Sequence, residues 1–198
     1  LMNSRPLTTT SWLSALRLAI VLMVLCGGLY PLISTQLGQT LFPDQAHGSL
    51  IYLHGEAVGS RLAAQSFSEP RYFHSRPSAA GYDPTGVSGS NLAPSNPELR
   101  QRVTRDAAAL SLRENVPVEK LPVDLVTASG SGIDPHISPR AAALQAPRVA
   151  AARGLPLEHV KHLINAHTQA PFLGVFGPAH VNVLTLNVAL DAEESTIQ

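Results

Sequence analysis

Three short stretches carry residue types able to do chemistry, and each falls short of a recognisable reaction. Ser129-Gly130-Ser131-Gly132 has the flavour of a nucleophile elbow, but Gly-x-Ser-x-Gly is not satisfied around either serine. It reads as a flexible turn. Glu158-His159-Val160-Lys161-His162 sets acid and imidazole side by side, as zinc helices do. His-Glu-x-x-His is absent, however, and Lys161 would bring a positive charge to the metal. A solvated helix face is the better reading. Asp134-Pro135-His136 could pair an acid with a base, yet no companion nucleophile is evident. Asp134, shortly after Gly132, is more simply a turn acceptor. No Gly-x4-Gly-Lys-Ser/Thr is present to cradle nucleotide phosphates, and no two carboxylates stand at a meaningful spacing. These residues therefore predict no catalytic residue and no metal ligand, and leave any cofactor-binding residue unassigned.

Composition narrows the classes further. Formal net charge is zero, so there is no basic footprint for nucleic acid. Cys26 is the only cysteine and lies in an apolar run, which excludes an intrachain disulfide and a thiolate-rich zinc site. Sixteen prolines and fourteen glycines predict many turns and short elements, but are too few for disorder.

Whatever these residues do, an apolar stretch must position them first. Trp12 to Ile33 reads WLSALRLAIVLMVLCGGLYPLI, with Arg17 as its only charge. Its roughly 22 residues cover about 33 Å as a helix, enough for a hydrocarbon core of about 30 Å. Arg5 before the run also fits a signal peptide. The uncharged part continues from Leu18 to Ile33 with no Ala-x-Ala after it, and Cys26-Gly27-Gly28 is a poor cleavage site. Leu25 likewise spoils Cys26 as a lipid-attachment residue. A retained anchor is the better reading, with cleavage as its rival. Arg5 and Arg17 precede the uncharged core, while Asp44 and Glu56 come after it and before the next basic residue, Arg61. The positive-inside rule then puts residues 1–11 in the cytoplasm, the membrane helix at 12–33 and residues 34–198 outside. Arg17 sits about one turn inside the apolar start, where it can snorkel to the headgroups.

Ser11, Ala15, Ala19, Met23 and Gly27 follow at four-residue spacing and share a helix face. Small residues let membrane helices pack closely, and they are also common in any such helix. Both readings stand. Pro31 is expected to end or kink the helix.

About 165 residues remain for one domain with a real core. Ser49–Leu53 and Glu56–Ser60 flank His54-Gly55 as a short hairpin. From Phe67 to Pro97 the Ser, Pro, Gly and Asn content predicts a long ordered loop. Asn96-Pro97-Glu98 opens a helix with Leu99, Val103, Ala107 and Leu110 inward, ending near Asn115. Val123–Ala128 reads as a strand before the turn Ser129–Gly132. Ser138-Pro139 opens a second helix, which Pro147 should kink or restart and Gly154 should stop. Pro156 opens a third helix, with Leu157, Val160, Leu163 and Ile164 inward. Val181–Leu190 alternates closely enough to be the strongest predicted strand. The fold class expected is α+β: a single membrane helix followed by one mixed extracytoplasmic domain.

In chain order these blocks resemble the C subunit of the bacterial Kdp potassium-transporting ATPase. The likeness runs through Gly27-Gly28-Leu29-Tyr30-Pro31-Leu32, His47-Gly48-Ser49-Leu50-Ile51 and Val58-Gly59-Ser60. It continues through Tyr72-Phe73-His74, Arg76-Pro77-Ser78-Ala79, Gly89-Ser90-Asn91-Leu92 and Ser95-Asn96-Pro97-Glu98-Leu99. Pro122–Ser129, Gly132-Ile133-Asp134, Ile137-Ser138-Pro139, Gln145-x-Pro147-Arg148-Val149, Val181–Leu184 and Leu186-Asn187-x-Ala189-Leu190-Asp191 complete it. Departures are small: Ser75 stands where glycine is expected, Ala63-Ala64 replaces Ile-Gly, and a second glycine is missing at Val87 or Ser88. Leu1 before Met2 fits an alternative start codon or an extended gene reading.

The resemblance implies a non-catalytic subunit of an inner-membrane complex with no cofactor of its own. A channel-like subunit would select potassium, a P-type ATPase subunit would hydrolyse ATP, and a small single-helix subunit would complete the assembly. The C subunit is needed for assembly and is described as a chaperone that raises the ATP affinity of the pump subunit. The charge flanks strain that last role, because they put ATP and the folded mass on opposite sides of the membrane. A stapling helix and an outer domain capping the potassium entrance fit them better. Ala15, Ala19, Met23 and Gly27 are the candidate partner contacts on the helix. Arg76, Asn91 and Asn96 are those in the loop Tyr72–Asn96, where internal turns and caps are an equally good use for them. A periplasmic hydrolase would need a nucleophile–base pair these residues do not assemble, and a free binding module would need cleavage after the run.

Overall fold

The computed structural model describes Thr9–Ile197, with side chains described from Trp12 to Glu193. Leu1, Met2, Arg5 and most of the 1–11 segment lie outside the described residues, as does the side chain of Ser11. The chain divides after Ser49 into two units.

The first unit is helical: α1 (Thr9–Val24), a π-turn (Leu25–Leu29), α2 (Tyr30–Leu41) and a short α3 (Pro43–Ala46). Trp12–Leu41 runs as one apolar helical stretch of 30 residues, about 45 Å long at the α-helical rise. Pro31, expected to end or kink the helix, does not end it. A proline has no N–H to give and its ring crowds the carbonyl four residues back. The helix widens instead, and the Tyr30 N–H bonds Leu25 O five residues earlier, directly before the proline. Its large apolar side chains are exposed, Trp12 at 78% and Met23 at 71%. A single exposed apolar helix of this length fits a single-pass membrane protein.

In the second unit the order is β1 (Leu50–Leu53), β2 (Glu56–Ser60), α4 (Pro97–Glu114), β3 (His136–Ile137), α5 (Pro139–Arg153), α6 (Leu157–Ala166), β4 (Thr168–Gln169), β5 (His180–Asn182) and α7 (Val183–Ile197). The α+β class holds. β1 and β2 pair antiparallel around His54-Gly55, both with positive φ, as a two-residue hairpin turn requires. A second antiparallel sheet has the order β3-β5-β4, with Val181 of the middle strand facing Ile137 and Thr168. No helix or strand interrupts residues 61–96, so the loop predicted from Phe67 to Pro97 is a loop up to Asn96, and Pro97 opens α4.

Caps set the helices. Asn96 Oδ1 accepts the Glu98 N–H at 2.9 Å to start α4, and Asn115 ends it in the left-handed region. Ser138 Oγ accepts the Ala141 N–H at 3.0 Å to start α5, and Gly154 ends it. Pro147 does not restart α5, which runs unbroken from Pro139 to Arg153. The bond it forfeits is to the exposed Ala143, while Ala141, Ala142, Gln145, Ala146, Val149 and Ala150 are buried along the opposite face. Buried packing there outweighs one hydrogen bond replaceable by water.

Two predicted strands are not strands. Val123–Leu125 forms a 3₁₀ turn in which Leu125 is buried and Val123 exposed. Within Val181–Leu190, only Val181 and Asn182 belong to β5, and the rest lies in α7. Asn182 makes the switch: its Oδ1 accepts the Thr185 N–H at 3.1 Å, and Thr185 Oγ1 donates to Asn182 O at 3.0 Å. Val183, Leu186, Asn187 and Leu190 are then buried at helical spacing. The core collects Phe73, Ile137, Val149, Val160, Val181, Leu186 and Leu190.

Candidate functional site

The loop carrying Arg76 has no regular hydrogen-bond ladder of its own, so side chains from two helices supply one. Asn187 of α7 accepts the Phe73 N–H at 2.8 Å and returns a bond to Phe73 O at 3.0 Å. Gln145 of α5 does the same for His74, at 2.9 and 3.1 Å. Two carboxamides thus stand in for a neighbouring strand beside a fully buried Phe73. Arg148 Nη1 donates to Pro70 O and Tyr72 O, and Arg153 Nε donates to Arg71 O at 2.8 Å. Five consecutive residues of loop backbone are held by four side chains.

Arg148 is itself anchored. Its Nε lies 3.0 Å from Glu114 Oε1, whose side chain is wholly buried and also meets Arg113. Burial lowers the Arg148 pKa and the Glu114 charge opposes that shift. His74, next in the loop, is held neutral: burial first, then the Arg113 charge, lowers its pKa to about 4.

Beyond the clamp, Arg76 Nη1 reaches Asp134 Oδ2 at 3.0 Å. His136 donates its backbone N–H to Asp134 Oδ1 at 3.0 Å and places Nδ1 3.2 Å from the same oxygen. The His136 hydrogen bonds, with the Arg76 charge adding to them, lower the Asp134 pKa. The His136 and His180 rings meet edge to face at 4.5 Å. These groups, with Thr127, Ser138 and Pro178, line an open cleft of about 430 Å³.

The other predicted residues fall elsewhere. Asn96 caps α4, and Asn91 is an exposed residue at φ +51°. Ala15, Ala19 and Met23 keep their four-residue register in α1, whereas Gly27 lies inside the π-turn, where that register breaks. Ser129–Gly132 seats the long loop: Ser129 N donates to Pro77 O at 3.0 Å, and Ser78 Oγ donates to Gly132 O at 2.6 Å. A Cβ on Gly132 would fall 2.6 Å from Ala80 Cβ, so the close approach needs glycine. On α6, Lys161 pairs with Glu158 at 2.8 Å and His159 lies 2.6 Å from Glu193. Among the described residues no three His, Cys, Asp or Glu side chains are grouped to hold a metal.

The family model for KdpC, described as K+-transporting ATPase, c chain, matches residues 12–192. The chain belongs to the KdpC family. Relatives named potassium-transporting ATPase KdpC subunit agree over most of their length. The one from Shewanella putrefaciens is 50% identical over 192 residues, 96% of each chain. That from Beijerinckia indica is 50% identical over 87% of this chain and 89% of its own. That from Ralstonia nicotianae is 51% identical over 89% of this chain and 88% of its own.

Three blocks of KdpC-like sequence meet at the loop clamp: Tyr72-Phe73-His74, Gln145-x-Pro147-Arg148 and Leu186-Asn187. Sequence reading assigned no role to Gln145, Arg148 or Asn187. The signal was a polar residue set inside an apolar helical stripe, which the helical spacing of α5 and the misread α7 concealed.

Proposed function

We propose that the chain is a non-catalytic accessory subunit of a bacterial potassium-transporting ATPase. The KdpC family match over residues 12–192 carries this reading. Residues 12–33 cross the inner membrane once, with residues 1–11 in the cytoplasm and 34–198 outside, as the positive flank at Arg5 and Arg17 favours. Its partners are the channel-like potassium subunit, the P-type ATPase subunit and the small single-helix subunit. ATP and potassium are handled by those partners, and this chain needs no cofactor.

Its work is mechanical. The helix staples the complex through the Ala15, Ala19 and Met23 face of α1 and through Gly27 in the π-turn beyond it, and the outer domain caps the potassium entrance through the loop that carries Arg76, Asn91 and Asn96. The clamp supports this role at Arg76, because the backbone just before it, residues 70–74, is already fixed by four side chains and has little entropy left to lose on docking. A chaperone action on ATP affinity would then travel through the membrane helices. Removing the chain from its host and measuring potassium-stimulated ATP hydrolysis in isolated membranes tests the proposal. Loss of activity, restored by the full chain but not by residues 34–198 alone, is expected. Unchanged activity without the chain would contradict it.

A further inference from the structure

Between β4 and β5 the chain forms a finger whose tip is almost wholly apolar and unpartnered. Phe172 is 71% exposed, Leu173 75%, Val175 79% and Phe176 64%. Four neighbouring large apolar side chains in water are costly and mark an interaction site. The finger is ordered without a partner. Phe172 N donates to Phe176 O and Phe176 N to Phe172 O, each at 2.9 Å, and the two rings lie 6.4 Å apart. Leu173 and Gly174 turn the tip at positive φ, and Pro171 and Pro178 bracket it.

Chemistry selects the occupant. No charged residue occurs from Ala170 to Ala179, and no Lys, Arg, Trp or Tyr is there to hold the tip at a lipid headgroup layer. Among the described residues, the clefts that a second copy of the domain would offer the tip are charged. They carry Arg76 and Asp134, Asp106 and Arg113, Arg61, or Arg148 and Glu114, and a convex tip buries little against another convex tip. An uncharged concave socket on a different protein fits. The finger also rises from the rim of the Arg76–Asp134 cleft, because Pro178, Ala179 and His180 are at once its stem and the wall of that cleft. An apolar anchor beside a polar rim is the anatomy of a protein interface.

We propose that residues 172–176 are a preformed anchor that inserts into an apolar socket on another subunit of the transport complex, with the Arg76–Asp134 cleft as the polar rim of the same interface. This rests on the subunit assignment above. A photo-crosslinking amino acid at Leu173, or separately at Val175, in the full chain expressed with its complex tests it. Irradiation of intact membranes should give an adduct identified by mass spectrometry as another subunit of the potassium-transporting ATPase. Replacing Phe172→Ser and Phe176→Ser in the same chain should cut its yield at least about fivefold. An adduct only with lipid, an adduct only with a second copy, or no adduct at either position overturns the proposal. The same purified sample separates the two claims. If the other subunits co-purify and the finger gives no adduct with them, the anchor fails and the subunit assignment stands. If they do not co-purify, it is the assignment that fails.

Discussion

Asn187 closes a two-bond ring with the backbone of Phe73, 114 residues earlier in the chain. One carboxamide satisfies both polar groups of a residue whose side chain is wholly buried. The ring ties the long loop to α7, and so fixes where Arg76 emerges three residues later.

Replacing Asn187→Leu keeps the number and branching of side-chain heavy atoms and removes both bonds. Two buried backbone groups are then left without partners, at a cost of about 2–4 kcal/mol. For a domain of this size the melting temperature should fall by roughly 6–12 °C. Circular dichroism of the detergent-solubilised chain measures it, and an unchanged melt would refute the clamp.

Arg148→Met should be worse, because it leaves the buried Glu114 carboxylate to the half-exposed Arg113 and frees the Pro70 and Tyr72 carbonyls. Breaking a buried pair from one side costs about 3–5 kcal/mol. Adding Glu114→Gln removes that buried charge, so the double variant should melt above Arg148→Met alone. Additive losses would mean that the pair is not coupled.

The pH dependence follows from His74. Its folded pKa, about 4, lies below the ordinary histidine value of 6.5. Between those values the unfolded chain binds a proton that the folded chain does not, so stability falls as pH drops from about 6.5 toward 4. Below that the loss is complete. Allowing for partial exposure, the effect is about 1–2 kcal/mol. His74→Gln should flatten this part of the stability profile in denaturant titrations at pH 7 and pH 5. An equal slope in both proteins would assign the dependence to other groups.

Orientation has its own test. Leu112 is 85% exposed on α4. A Leu112→Cys chain, with Cys26 in the apolar helix as its only other thiol, should react with a membrane-impermeant thiol reagent in intact spheroplasts. Protection until lysis would invert the topology and bring the domain to the ATP side.

Legibility in the sequence followed capping chemistry. Asn96-Pro97, Ser138-Pro139, Asn115 and Gly154 announce helix ends by local rules, and those boundaries agree with the structure. Val181–Leu190 misleads because Leu184, Leu186, Val188 and Leu190 fit a period of two while Val183, Leu186 and Leu190 fit one of 3.6. The deciding signal was Asn182, a cap hidden inside an apolar run. Val123–Ala128 has β-branched residues, but in the fold only Leu125 and its neighbours need burial, so a tight turn suffices. Local rules expect Pro31 to end or kink its helix and Pro147 to kink or restart α5, but they omit what lets each helix continue: a π-turn in one case and a buried helix face in the other. The partners of Arg76 were beyond local reading, since Asp134 lies 58 residues away. The exposed Phe172–Phe176 tip went unread because exposure is a property of the fold.

Membership of the transport complex is the central claim, and affinity purification of the tagged full chain from its own membranes in mild detergent tests it most directly. The other subunits of the potassium-transporting ATPase should elute with it in a fixed ratio, identified by mass spectrometry. Elution of the chain without any pump or channel subunit would contradict the account.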